Sequence, residues 1–153
     1  MPKIIEFECP EENLIARAEL LENLAPETCA LIWKMLPVEG YFHHAYYSGA
    51  ELAMILPDFF NVELEKPTTV ILPWEIAFTS LRAHDYFDVD QDFSEILFFY
   101  DRNTGPKMLD GPAKVTIFAR FLEGDAALRD QLRCLGYRMR EEGQKHFIIR
   151  QVC

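Results

Sequence analysis

The sequence predicts a mainly β protein, a single closed antiparallel barrel with two α-helices. Many short segments are rich in β-branched and aromatic residues, and Gly, Pro, Asn or Asp separate them. Only two segments have helical periodicity. The 153 residues are half hydrophobic, so one domain over residues 1–153 can bury its core without a metal ion or a disulfide.

Alternation of apolar and polar residues predicts the first two strands. Ile5, Phe7 and Cys9 alternate with glutamates, and the even-numbered residues 14–20 alternate with Ile15, Arg17 and Glu19. Residues 10–13 between them are predicted to form a hairpin turn. Further strands are predicted at 41–47, 51–56, 68–72, 75–78, 95–100, 114–121 and 147–152.

Two helices are predicted, at 27–36 and 125–141. Pro26 starts the first, Pro37 stops it, and its nearly apolar sequence predicts that it plugs one end of the barrel. In the second, apolar residues at 128, 132, 135 and 139 form one stripe, which indicates a surface helix against the barrel wall or the other end. The predicted core comprises Phe7, Leu20, Leu31, Ile32, Leu36, Ile76, Leu97, Ile117, Phe121, Leu128 and Leu132.

Charge and cysteine usage exclude several classes of partner. The net charge of −10 would repel the phosphates of nucleic acids and anionic membranes, and no basic run offsets it. The first residues contain no apolar run typical of a signal peptide or a membrane span, which favours a cytoplasmic protein. The cysteines at 9, 29, 134 and 153 form no Cys-x-x-Cys pair and are interpreted as buried free thiols.

Two separated motifs resemble the cyclophilin family. The strand Arg17-Ala18-Glu19-Leu20 leads through Ala25-Pro26-Glu27-Thr28 into a helix, and Leu109-Asp110-Gly111 precedes a strand that contains Phe. The chain is more similar to compact bacterial and archaeal cyclophilin-like proteins that lack the isomerase residues. An uncharacterised group of these has a turn similar to residues 73–76 and a strand similar to residues 95–100. The resemblance implies a cyclophilin-like barrel.

The same resemblance predicts negligible prolyl isomerase activity. Phe42-His43-His44 stands where cyclophilins carry Phe-His-Arg, and an imidazole does not supply the planar, permanently charged guanidinium. Met108 replaces the family's Trp before the Leu-Asp-Gly turn, and Glu95 falls where an amide is expected.

A ligand site is predicted at the mouth of the barrel. Neighbouring strand residues face opposite sides, so His44 rather than His43 shares the ligand-facing side with Tyr46. A barrel brings residues from distant strands together around one concavity. We therefore expect a small polar or anionic molecule there, with His44 or Arg120 donating and Glu95 accepting hydrogen bonds. The predicted ligand-binding residues are His44, Tyr46, Glu95, Tyr100 and Arg120; a structural His44 and a surface Glu95–Arg120 ion pair are the alternatives.

No metal ion or cofactor is predicted. In the acidic segment 82–95, Asp88, Asp90 and Asp92 have EF-hand spacing, but Phe93 and Phe99 stand where such a loop needs Gly and Glu. A solvated loop, or a flap over the barrel mouth, fits better. Three functions stay open: a small-molecule site with or without chemistry, a residual isomerase, and a protein-interaction subunit, compatible with a homo-oligomer. The interaction surface would be the former proline groove of the cyclophilin-like barrel, or the aromatic residues Phe59, Phe60, Tyr86 and Phe87.

Overall fold

Eight strands close into an antiparallel barrel in the computed structural model of the chain, which describes residues 1–124 and 126–152. The elements in chain order are β1 (Ile4–Cys9), β2 (Leu14–Leu20), α1 (Pro26–Met35), β3 (Val38–His44), β4 (Glu51–Ile55), β5 (Glu75–Leu81), β6 (Phe93–Phe99), β7 (Lys107–Met108), β8 (Gly111–Pro112), β9 (Thr116–Phe121), α2 (Ala126–Glu142) and β10 (Lys145–Val152). Around the barrel the order is β1-β10-β3-β4-β6-β5-β9-β2, while β7 and β8 form a separate hairpin. The predicted closed antiparallel barrel with two helices is confirmed.

Aromatic rings fill the barrel interior. The ring of Phe98 lies 5.1 Å from that of Phe42, 5.2 Å from that of Phe121 and 6.0 Å from that of Phe7. These rings come from four strands and pack edge-on, which the ring quadrupole favours. The alternation predicted for β1 and β2 is confirmed, because Phe7 and the even residues 14–20 are all buried.

The two helices cover opposite ends of the barrel. α1 follows the end of β2, and Ile32 belongs to the same buried cluster as the barrel interior. α2 lies beside Leu14 at the start of β2, and Leu132, Leu135 and Met139 join the same cluster. The plug formed by the first helix and the buried stripe of the second are therefore confirmed. The predicted first residue of the second helix, Asp125, lies outside the described residues.

A distant carboxylate caps the start of α1. Oε1 of Glu65 accepts hydrogen bonds from the backbone N and the Oγ1 of Thr28, at 2.6 and 2.7 Å. The cap satisfies an amide that no turn of the helix can reach, and it places negative charge at the positive end of the helix. The loop between β4 and β5 is thereby attached to the end of the barrel opposite α2.

Several predicted boundaries were wrong. Residues 68–72 form only one isolated bridge, Thr68 with Val115, because the Thr68 hydroxyl bonds both backbone groups of Val70 and so competes with strand pairing. The strand predicted at 41–47 spans 38–44 instead, and the chain leaves the sheet where the Ala45 amide donates to the Glu51 carbonyl. Among the predicted core residues, Leu31, Ile117 and Leu128 are half-buried and the others are buried.

The cysteine prediction holds for two residues. Cys9 and Cys29 are buried, and burial raises the pKa of their thiols to about 11 and about 12. Cys134 is exposed on α2, and this part of the prediction was wrong because 134 falls outside the apolar stripe of that helix. Cys153 lies outside the described residues. Of the described helices, none combines the length and apolar character needed to cross a membrane.

Candidate functional site

A groove lies where β3 ends beside the last turns of α2. Its volume is about 380 Å³, within the range of small-molecule sites. The backbone segment after β3 forms one side, and a single helix residue, Arg140, forms the other. The groove is lined by His44, Ala45, Tyr46, Tyr47, Gly49 and Arg140.

His44 is the centre of a hydrogen-bond network in this groove. Its Nδ1 lies 2.8 Å from the carbonyl oxygen of Ala45, and a carbonyl only accepts, so Nδ1 carries the proton. Nε2 of the neutral ring is then an acceptor. It accepts hydrogen bonds from the Tyr100 hydroxyl at 2.6 Å and from the Nε of Arg140 at 3.3 Å. Both ring nitrogens are thus occupied by partners from the protein.

The neutral state of His44 is favoured by its surroundings. Burial lowers the pKa of the imidazole, and the charge of Arg140 lowers it further, while the bond to the Ala45 carbonyl acts in the opposite direction. A protonated ring would direct an N–H toward the guanidinium of Arg140. At neutral pH His44 therefore holds Arg140 and Tyr100 as an acceptor rather than as a cation.

Tyr100 is fully buried and is fixed from the helix side. Its ring packs edge-on against that of Tyr137 at 5.1 Å and against that of His44 at 5.7 Å. A Cβ atom on Gly136 would lie 2.6 Å from the Tyr100 ring, so the helix approaches this closely only because residue 136 has no side chain. Burial raises the pKa of the Tyr100 phenol, which keeps it a donor to His44.

Arg140 lies over the next ring of the network. The guanidinium is 5.5 Å from the centre of the Tyr137 ring, and the Tyr137 hydroxyl donates to Asp101 at 2.6 Å. No carboxylate among residues 1–124 and 126–152 lies within ion-pair distance of Arg140, whereas Arg138, two positions earlier on α2, pairs with Glu12 and Glu142. The groove thus contains a cation without a counter-ion.

Three of the five predicted site residues are brought together. His44 and Tyr46 line the groove, and Tyr100 bonds His44. Tyr46 lies in the loop after β3 rather than on the strand. The face predicted for His44 agrees with the structure, since Phe42 on the same face is inside the barrel.

Glu95 is not in the groove. On β6 the interior residues are Ile96 and Phe98, so Glu95 is on the outer wall, five positions from Tyr100 and toward the other end of the strand. Placing it in the groove was wrong because an odd-numbered residue on this strand has the opposite face from Tyr100.

Arg120 is not in the groove either. It lies exposed on β9, four strands from β3 in either direction around the barrel, and it pairs with Glu19 at 3.0 Å. Arg120 does form a surface ion pair, as that alternative predicted, but its partner is Glu19 rather than Glu95. Convergence of all five residues was therefore wrong for Glu95 and Arg120.

Arg140, Tyr137 and Tyr47 are site residues that sequence reasoning missed. The second helix was interpreted only through its apolar stripe, and Arg140 lies off that stripe. One signal was present in the sequence: Gly136 is a poor helix former in the middle of a helix, and such a residue often marks a close approach by a neighbour. Tyr137 and Arg140 follow it at helical spacing on one face.

The acidic segment 82–95 contains a loop whose backbone is held by its own carboxylates. Asp85 accepts from the Arg82 amide at 2.8 Å and Asp92 from the Ala83 amide at 2.9 Å, while Val89 is buried beneath the loop. Two of the carboxylates thus stabilise turns. Within the described ranges, no group of three or more His, Cys, Asp or Glu is arranged to hold a metal ion.

The aromatic residues of the predicted interaction surface differ in burial. Phe60 packs against the core and Phe59 lies under the Arg82 guanidinium at 5.9 Å. Tyr86 is half-buried, and Phe87 is 83% exposed. Of the four side chains, Phe87 is therefore the exposed one, and the others are half-buried.

Comparison with known proteins identifies similar barrels. McbB, described in complex with tryptophan, matches with a TM-score of 0.68 at 18% identity, over 95% of this chain and 44% of McbB. The chain thus spans less than half of McbB. The hypothetical protein AF2241 from Archaeoglobus fulgidus, whose structure was determined in solution, matches with a TM-score of 0.60 at 15% identity, over 99% of this chain and 95% of AF2241. At these identities the similarity shows a shared fold alone.

Family membership follows from the sequence itself. The search of curated proteins gives no match. Residues 9–146 match the family described as Protein of unknown function (DUF3830). This match covers most of the chain and includes His44, Tyr100 and Arg140, and the chain therefore belongs to the DUF3830 family.

Proposed function

We propose that this protein binds a small anionic molecule in the groove between the end of β3 and α2. The observation that carries the proposal is Arg140, an arginine beside a concavity of about 380 Å³ with no carboxylate partner among the described residues. The chain has a net charge of −10, so acidic side chains are abundant elsewhere on its surface. A guanidinium left without a counter-ion in such a chain favours an anionic ligand.

The network favours binding over acid–base chemistry. A general base needs a free lone pair within reach of the substrate, but Nε2 of His44 already accepts from Tyr100 and Arg140. Tyr100 is fully buried and its hydroxyl is directed at His44. His44 and Tyr100 act in this proposal as positioning residues that hold Arg140 at the groove.

One of the similar structures supports the proposal. McbB is described in complex with tryptophan, which carries a carboxylate, and its barrel resembles this one. We infer further that residues 1–153 form one cytoplasmic domain related to the cyclophilin-like barrels. The two Leu-Asp-Gly and Ala-Pro-Glu-Thr motifs support that relationship.

Binding of benzoate and of its neutral analogue benzamide tests the proposal. In ¹H–¹⁵N NMR titrations we expect benzoate to shift the amides of Ala45, Tyr47 and Gly49, and benzamide to bind at least tenfold more weakly. Arg140→Gln should reduce benzoate affinity at least tenfold, because a charge-assisted hydrogen bond is lost. Arg138→Gln is the matched control on the same helix and should leave it unchanged. Equal benzoate affinity in wild type and Arg140→Gln would overturn the proposal.

Prolyl isomerase activity stays a separate prediction. The position expected to carry the family's arginine is His44, whose ring nitrogens are both occupied. We expect isomerisation of a standard Xaa-Pro peptide to be at least a hundredfold slower than with an ordinary cyclophilin, because a lost preorganised donor costs about two orders of magnitude. A protease-coupled assay measures this rate directly, and acceleration within tenfold of a cyclophilin would contradict the prediction.

A further inference from the structure

Two tyrosine rings stand exposed at the edge of the anion groove. Tyr46 is 90% exposed and Tyr47 is 49% exposed, and their ring centres are 6.3 Å apart. Both residues line the groove opposite Arg140. Neither hydroxyl has a hydrogen-bond partner among residues 1–124 and 126–152. The exposed parts of both rings are therefore available for contact with a ligand.

The loop that carries these rings is nevertheless firmly fixed. The Ser48 carbonyl accepts from the Thr104 hydroxyl at 2.6 Å and from the Gly105 amide at 3.0 Å. The Ser48 hydroxyl accepts from the Lys107 amide at 3.0 Å. On the other side, the Ala45 amide donates to the Glu51 carbonyl at 3.0 Å. Hydrogen bonds thus immobilise the backbone both before and after the two tyrosines.

Gly49 shows that this backbone position is specified. Its φ is +74°, in the left-handed region, and a Cβ atom there would collide with the carbonyl oxygen of Asn103. The segment 45–50 can therefore dock on segment 101–107 only with glycine at this position. The result is an exposed pair of aromatic rings on a preorganised support, and preorganisation lowers the entropy lost when a ligand binds.

We propose that the ligand of this groove is an aromatic carboxylate, whose ring stacks on Tyr46 and Tyr47 while its carboxylate pairs with Arg140. The proposal rests on the anion site described above and adds the chemical class of the ligand. The three side chains supply both kinds of contact: the tyrosines offer π faces, and Arg140 offers a guanidinium that matches a planar carboxylate. A volume of about 380 Å³ accommodates one small aromatic acid.

Benzoate and cyclohexanecarboxylate separate the aromatic contact from the charge. The two probes have the same charge and nearly the same size, and only benzoate has a π face. By isothermal titration calorimetry or NMR we expect wild type to bind benzoate about 2- to 12-fold more tightly, the range measured for aromatic pairs. Tyr46→Leu combined with Tyr47→Leu should abolish this preference and leave the affinity for cyclohexanecarboxylate within about twofold. Tyr46→Phe should retain the preference.

The outcomes distinguish this inference from the proposed function. If both probes bind equally and both need Arg140, the anion site stands and the aromatic class is wrong. If neither probe distinguishes wild type from Arg140→Gln, the anion site itself is wrong. If the double leucine variant keeps the preference for benzoate, the stacking surface is not formed by Tyr46 and Tyr47. Circular dichroism and the melting temperature of each variant confirm that it is folded.

Discussion

The polar groups on the two faces of β6 differ in whether they have hydrogen-bond partners. At the mouth, Tyr100 follows the interior face of the strand, and its hydroxyl and the nitrogens of His44 all have partners. On the outer wall, Glu95 and Glu51 of the neighbouring β4 lie on the face that carries a second apolar cluster, which includes Leu97. Glu95 is half-buried, and Glu51 is only 5% exposed although its Oε1 has no partner among the described residues. Strand alternation, together with position along the strand for Glu95, separates these two environments.

The difference separates polar groups that hold a side chain in position from polar groups that lower the stability of the fold. At the mouth, donors and acceptors are matched and fix the position of Arg140, as a binding site requires. On the outer wall, burial raises the pKa of Glu95 to about 7 and that of Glu51 well above its ordinary value. The charge of Glu95 raises the pKa of Glu51 further, and a hydrogen bond with Ser48 opposes this only partly. These carboxyl groups lower stability near neutral pH.

The largest expected effect is a gain in stability from Glu95→Gln. A raised folded-state pKa means that the cost of burial is absent below about pH 4.5, grows as the pH rises toward about 7, and is constant above it. A shift from 4.5 to about 7 corresponds to at most about 3 kcal/mol. We expect chemical denaturation to show Glu95→Gln more stable than wild type at pH 8 and equal to it at pH 4. A matched control is Glu123→Gln on the exposed surface.

The comparison would fail in one clear way. If Glu95→Gln had the same effect at pH 4 and pH 8, the carboxyl would not be titrating in the folded protein. Ionising a carboxyl group on the outer wall would then cost no more free energy than placing a charge at the mouth.

The second prediction concerns the close packing at the mouth. In Gly136→Ala the new methyl group would lie within 2.7 Å of the Tyr100 ring, so either the helix or the ring must move. We expect a loss of about 2 kcal/mol in unfolding free energy, as for other overpacked sites, and weaker benzoate binding. Gly124→Ala is the control, because a Cβ atom there meets nothing within 4 Å. An unchanged melting temperature in Gly136→Ala would contradict this packing.

The sequence predicted the barrel well and the site only in part. Alternation in β1 and β2, the apolar stripe of α2 and the face of His44 depend on local periodicity, which is present in the sequence. Arg140 could not be predicted in this way, because its place beside His44 depends on how α2 lies across the end of the barrel. The prediction for Glu95 was wrong for a related reason. The strand itself was predicted correctly, but the face of the strand that lies inside the barrel depends on its register, and Glu95 lies on the outer face.

Substitution of His44 is expected to have a smaller effect. It tests whether this residue positions Arg140 or only stabilises the fold. His44→Ala removes the acceptor for Nε of Arg140, and we expect benzoate affinity to fall about tenfold, since hydrogen bonds to charged groups contribute about 1.5 kcal/mol or more. His44→Gln keeps a side-chain acceptor and should recover part of this loss. Comparable melting temperatures would assign the difference to Arg140. Full affinity in folded His44→Ala would show that Arg140 holds its position without the imidazole.

The smallest effect is expected at Arg120, on the opposite side of the barrel. Its ion pair with Glu19 is solvent-accessible, and such pairs contribute about 0–1 kcal/mol and are screened by salt. Arg120→Gln should therefore change the unfolding free energy by less than about 1 kcal/mol, and less again in 0.5 M NaCl. Benzoate affinity should stay within about twofold of wild type, because β9 lies four strands from β3. Both residues are arginines on an acidic protein, so removing either one changes the net charge equally. If Arg120→Gln weakened benzoate as much as Arg140→Gln, binding would depend on overall charge, and the groove at the mouth would lose its special role.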